Sequence, residues 1–218
     1  MTRHSADVTT LADELARTGL GWANVPAPMR ALGTDLLRAL LDGSPVEGDA
    51  AEAIAAKHGL DPQVIALAKG QAELDDAGRL VGLGGLSVRP TSHRFLVGGR
   101  TLYTWCTLDG LFLAPLLGVT GVIETRCPET GEPIRVEVAP SGVISSEPAD
   151  VVLSVVVPEG GCGPRAATDV RSSFCEFVSF FASSAALERH FGERAVAELT
   201  LDQGFDLGLR IVGLTPEA

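Results

Sequence analysis

Cys106 and Asp109 stand three residues apart in Tyr103-Thr104-Trp105-Cys106-Thr107-Leu108-Asp109, where a β-type run gives way to an apolar helical one. A thiol at a helix N-terminus feels the positive end of the helix dipole, which predicts a lowered thiol pKa. Asp109, at i+3, falls on the same face of the first turn. A carboxylate there relays a proton but opposes a second negative charge. Taken alone, Cys-x-x-Asp also describes a buried cysteine beside an ordinary acidic residue of a first helical turn. A second thiol, Cys175, lies 69 positions on, in Arg171-Ser172-Ser173-Phe174-Cys175-Glu176-Phe177, where an aromatic strand to Phe181 is predicted to begin. Two distant thiols that converge make a soft two-coordinate pocket, suited to Hg(II), Cu(I) and similar ions rather than to hard cations.

The remaining groups exclude other chemistry. Cys127 precedes Pro128 in a turn and reads as structural, and Cys162 sits in the Gly/Pro-rich loop 158–167 as an incidental thiol. Four cysteines in 218 residues are too few for a disulfide scaffold, and no two lie at zinc-ligand spacing. The histidines (His4, His58, His93, His190) form no metal-binding pair. Gly82-Leu83-Gly84-Gly85 lacks the Lys-Ser/Thr and the following helix of a phosphate loop, and reads as a hairpin turn. The formal net charge of −11 argues against a general binder of nucleic acid or of an anionic membrane. No apolar run reaches the length of a membrane span, and no secretory signal pattern opens the chain, so a cytoplasmic location with reduced thiols is expected.

The elements that position these groups divide near Pro90. Residues 1–92 read as a helical, winged-helix-like N-terminal domain. Helices are predicted at Leu11 to Arg17 (capped by Thr9 or Thr10), Met29 to Leu41, Asp49 to His58 and from Asp61-Pro62 through Ala68, before a strand from Arg79 to Leu83. Between 31 and 92 there are five basic against nine acidic residues, so this module packs on its neighbour rather than reading DNA. Residues 93–218 read as a mixed α/β core with antiparallel sheets, making the fold class α+β. Strands are expected at His93 to Val97 and Arg100 to Tyr103 around Gly98-Gly99, at Val119 to Thr125, Ile134 to Val138 and Val151 to Val157. Helices are expected at Thr107 to Leu117, Ala185 to Phe191 and Gln203 to Val212.

The combination of Trp-Cys-x-x-Asp with Ser-Phe-Cys resembles the organomercurial lyases (alkylmercury lyases) of bacterial mercury resistance. The resemblance runs from about residue 30 onward. It rests on Leu102 through Asp109, Val119 through Cys127, Thr130-Gly131-Glu132-Pro133, Asp169 through Cys175, Phe180-Phe181-Ala182-Ser183 and Gly204-Phe205-Asp206-Leu207-Gly208. It implies protonolysis of a carbon–mercury bond to a hydrocarbon and Hg(II), a detoxifying reaction. Cys106 is then the first thiol ligand to mercury, Cys175 the second, and Asp109 the proton shuttle that also lies near the metal. Trp105 and Phe174 would wall the organic group. No organic cofactor is implied, since Hg(II) is bound as product. The implied partners are organomercurial small molecules, cytosolic thiols that take Hg(II), and a downstream mercuric reductase, with no nucleic acid and no membrane. Two positions depart from the family pattern: Glu176 replaces a frequent second cysteine, and Cys162 has no counterpart. Two other readings stand beside it. A non-enzymatic thiol-based heavy-metal binding protein or sensor would use the same cysteines, and a winged-helix regulator would need a basic face that the sequence lacks.

Overall fold

The computed structural model describes residues 7–22, 25–61, 72–157 and 167–214, the side chains of 167–169 excepted. Its helices are α1 (Val8–Arg17), α2 (Ala27–Leu40), α3 (Gly48–Lys57), α4 (Thr107–Leu117), α5 (Ala167–Ser173), α6 (Ser184–Phe191) and α7 (Leu201–Val212). Its strands are β1 (Ala72–Leu74), β2 (Leu80–Leu83), β3 (Leu86–Ser87), β4 (His93–Val97), β5 (Arg100–Thr104), β6 (Gly121–Arg126), β7 (Pro133–Ala139), β8 (Gly142–Glu147), β9 (Val152–Val155), β10 (Phe180–Phe181) and β11 (Ala197–Thr200). The class is α+β, with two antiparallel sheets: one of eight strands in the order β1-β2-β3-β5-β4-β6-β7-β8, the other β10-β9-β11. The large sheet takes strands from both sides of Pro90, because Leu86 pairs with Thr104 and Ser87 with Tyr103.

Helix α4 lies at the centre. Leu108, Leu111, Leu113, Ala114 and Leu117 point to different sides and are all buried, as expected of a helix enclosed all round. One side meets the large sheet, where Gly110 faces Ile123 with no room for a methyl group. The opposite side meets α7 through Gly204 against Leu111 and Gly208 against Phe112. A Cβ on Gly208 would lie 2.9 Å from that of Phe112, so the glycines set the interhelical approach. The apolar core is continuous from α1 to α7.

Several expected boundaries shift. Asp7, not Thr9 or Thr10, caps α1, its carboxylate accepting from both of their backbone N–H groups. Glu47 precedes α3, and Asp49 lies inside its first turn. The aromatic segment after Phe174 is not a strand: Cys175–Phe177 is a single 3₁₀ turn, and only Phe180–Phe181 pairs, with β9. Ser154 of β9 causes this, because its Oγ donates to the Phe177 carbonyl (2.8 Å) and accepts from the Ser179 N–H (3.0 Å). Strands β1, β8 and β11 and helix α5 were not anticipated. The helix expected from Asp61-Pro62 falls on 62–71 and Cys162 on 158–166, both outside the described residues. Among the described residues no helix is long and apolar enough to cross a membrane.

Candidate active site

Strand β5 delivers Cys106 to the mouth of α4. The Trp105 N–H donates to the Gly85 carbonyl at 2.9 Å, extending the β3–β5 ladder one residue past its end. Cys106 then takes the N-cap position in extended backbone (φ −143°, ψ 176°). Its N–H donates to Asp109 Oδ2 at 2.7 Å, and the Asp109 N–H turns back to the Cys106 side chain, a reciprocal capping box in which cysteine replaces the usual serine. The two reciprocal hydrogen bonds of this box, across one helical turn, therefore fix sulfur against carboxyl.

Cys175 reaches the same point from the other side. Helix α5 ends at Ser173; the next residue, Phe174, still donates its N–H to the Val170 carbonyl (3.0 Å), and the 3₁₀ turn that follows aims Cys175 at α4. The Cys106 and Cys175 sulfurs and one Asp109 carboxyl oxygen all lie within 4.8 Å of one another. Cys106 is 0% exposed, Cys175 4% and Asp109 6%. All three residues singled out in the sequence thus meet in one buried cluster.

Burial sets the proton affinities. It pushes the Cys106 thiol well above its ordinary value, helped by the hydrogen bond with Cys175 and the charge of Asp109. The expected lowering by the helix dipole is therefore overturned. A helix terminus favours an anion by about 0.3–1 kcal/mol, whereas full burial shifts a titrating group by up to several units. Burial also raises Asp109 to about 7, partly offset by hydrogen bonds from the Cys106 backbone and thiol and by the positive charge of Arg171. Burial thus holds the proton on Cys106, while the Asp109 carboxyl can both take and give a proton near neutral pH.

Two residues to which the sequence assigned no part in the site shape this cluster. Gly85, in the β2–β3 turn, has φ +94°, and a Cβ there would run into the Asp109 carboxyl. Glu73 on β1 forms an ion pair with Arg171, one helical turn before Cys175, while Ser87 Oγ donates to its other oxygen at 2.7 Å. The β1–β3 ribbon therefore backs Asp109 with one glycine and ties down the Cys175 segment with one carboxylate. Gly85→Ala is expected to cut turnover at least tenfold, since the added methyl must push the Asp109 carboxyl out of place, and a misplacement of about 1 Å can cost about 10²-fold. Steady-state rates beside mercury-binding stoichiometry will show whether the loss is catalytic. Glu73→Ala, which releases Arg171, is expected to reduce turnover about tenfold, and Glu73→Gln, which keeps an acceptor, less. Equal losses in the two variants would refute that tie.

Cys175, Asp109, Trp105, Phe112 and Phe174 line an apolar cavity of about 400 Å³, with Trp22 and Ala16 of α1 also in its lining. Trp105 and Phe174 line this cavity and are at the same time part of the buried apolar core. Cys127 is buried in the β6–β7 turn, where its N–H donates to the Glu132 carbonyl (2.8 Å). That turn contact is consistent with a structural role.

The MerB family model, alkylmercury lyase, matches residues 86–213, which include all three cluster residues. The chain is 37% identical over 206 residues to an alkylmercury lyase of Pseudomonas putida, covering 93% of this chain and 92% of that one. The chain belongs to the alkylmercury lyase family. An alkylmercury lyase of Staphylococcus epidermidis is 36% identical over 174 residues (79% of this chain, 77% of the relative). That of Bacillus cereus is 41% identical over 145 residues, a match that spans 62% of the relative's length. The fold agrees with the crystal structure of a mercury-bound form of MerB2, with a TM-score of 0.66 at 22% identity, over 93% of this chain and 96% of that one.

Proposed function

We propose that this alkylmercury lyase family member cleaves carbon–mercury bonds by protonolysis, with Cys106, Cys175 and Asp109 as its catalytic residues. The observation that carries this reading is a carboxyl lodged against two buried thiols on the wall of an apolar cavity. Mercury is substrate and product here, so the reading requires no organic cofactor. An organomercurial R–Hg–X places mercury on the thiols and R in the cavity. As each Hg–S bond forms, its thiol proton is displaced. One proton leaves with X, and Asp109 takes the other. Two electron-rich thiolates on mercury raise the basicity of the bound carbon, Asp109 returns its proton there, and the C–Hg bond breaks to release R–H. Hg(II) remains on Cys106 and Cys175. The balance is R–Hg–X plus two thiols giving R–H, H–X and a bis-thiolate of Hg(II), with one carboxyl serving as base and then acid.

The same reading assigns the rest of the route. Hg(II) passes to thiols, with a mercuric reductase as the proposed next acceptor and the cytoplasm, where thiols stay reduced, as the proposed place. Helices α2 and α3 with the β2–β3 hairpin are read as a winged-helix-like module that packs on the catalytic core. Asp109 favours cleavage over simple metal capture, because a sensor needs the sulfurs but not an acid facing the organic group. Incubation with phenylmercuric acetate and excess thiol tests this. Catalytic benzene release supports the lyase, whereas stoichiometric mercury retention without benzene would establish the sensor in its place.

A further inference from the structure

Cys175 fronts two cavities. On one side lies the apolar cavity, which it shares with Asp109, Leu108 and Phe112. On the other lies a larger cleft of about 1430 Å³, most of whose lining residues are charged or polar, Arg126, Arg171 and Glu176 among them, and which Asp109 does not reach. The α5–Cys175 segment is the partition between them: Val170 and Phe174 face the apolar side, Arg171 and Glu176 the polar side. Trp105 also borders both, and its buried Nε1–H has no acceptor among the described residues. A buried donor of this kind calls for a partner, which a ligand in either space would supply.

We propose that this cleft is the acceptor subsite from which a low-molecular-weight thiol removes Hg(II), attacking the metal at its bond to Cys175. The proposal rests on the lyase reading for its place in the cycle. Its physical basis is the division of the two spaces. Mercury on two thiolates is surrendered readily only to another soft ligand, hence a thiol. Such a thiol carries charged or polar groups, and drawing these through the apolar cavity would strip their hydration without a partner. It would also oppose the departing hydrocarbon. From the cleft the polar carrier stays hydrated and only sulfur reaches the metal. In the exchange an Hg–S bond to the incoming sulfur forms as the Hg–Sγ bond of Cys175 breaks. The proton lost by the entering thiol ends on the Cys175 sulfur, and neither sulfur nor mercury changes oxidation state. A second exchange at Cys106 completes release.

Glu176 reports on this route because it is exposed, adjoins Cys175 and lines the cleft but not the apolar cavity. The full-length protein is loaded directly with Hg(II), so the test holds even if no benzene is ever released. Hg(II) left on the protein after rapid gel filtration is followed against time with 3-mercaptopropionate (anionic) or cysteamine (cationic). Glu176→Lys is expected to shift the ratio of the two release rates toward the anionic thiol by about tenfold or more, and Glu176→Gln by an intermediate amount. Ala16→Glu, which puts a carboxylate on the apolar cavity, is expected to leave the ratio unchanged. A ratio that ignores residue 176 but follows residue 16 would overturn the proposal and send the thiol through the apolar side.

Discussion

Cys106→Ala and Cys175→Ala proteins are expected to release benzene from phenylmercuric acetate at least about a thousandfold more slowly than the natural chain, with the double variant no worse than either single one. The non-additivity follows from the chemistry. The carbon becomes basic enough to protonate only when mercury carries both thiolates, so losing one forfeits the gain from the other. The singles should still differ in capture. Cys175 borders both cavities, so the Cys106→Ala protein takes up one equivalent of the organomercurial quickly and holds it uncleaved. Cys106 is fully enclosed and borders neither, so the Cys175→Ala protein loads slowly. Removing one small buried sulfur leaves a minor cavity, so thermal unfolding should be nearly unchanged and inactivity cannot be blamed on misfolding. Near-normal benzene release by either variant would show that the thiol it lacks is not a catalytic ligand.

Legibility in the sequence followed the range of the interactions. Cys106 and Asp109 could be paired from spacing alone because one helical turn joins them, and Thr107–Leu117 forms the expected helix because its apolar residues leave no exposed face. Gly98-Gly99 gave its hairpin for an equally local reason, since both residues adopt positive φ. Cys175 was different. No local rule brings it to Cys106 across 69 residues, so the sequence offered it only as a candidate for convergence, and the likeness to a known family supplied the pairing. Its surroundings were misjudged because a run of aromatics suits a buried strand as well as it suits a turn pinned by Ser154, a residue of another strand. Gly85 read as a turn former, which it is. Its contact with Asp109 exists only because β3 pairs with β5, a tertiary fact. The sign of the Cys106 shift failed for a related reason: the dipole is visible in sequence, whereas complete burial is not.

Asp109→Asn is expected to produce a protein that is more stable above neutral pH and nearly inert. The folded carboxyl titrates at about 7 against an ordinary 3.8, so the folded chain keeps a proton that the unfolded chain gives up. A group raised in this way supports the fold at low pH, and that support is lost as pH climbs from about 4 through 7. The full gap corresponds to at most about 4 kcal/mol. Asparagine does not titrate, and its carbonyl can still accept from the Cys106 N–H. Its melting temperature should therefore gain on that of the natural chain between pH 5 and pH 8 and level off beyond. An advantage that stayed constant across this range would show that Asp109 is not the buried titrating group. Catalysis moves the other way. Without a proton carrier, turnover should fall by roughly 10²–10⁴-fold, while both thiols still bind Hg(II) with unchanged stoichiometry. In the natural chain kcat/KM should rise as pH passes through about 7, where Asp109 in the free protein becomes able to accept the thiol proton. That limb should vanish in the variant. A carboxyl kept in an apolar, thiol-lined site against the stability of its own fold is what a proton shuttle to carbon requires: an acid weak enough to be reloaded at neutral pH, standing where water does not compete for the proton.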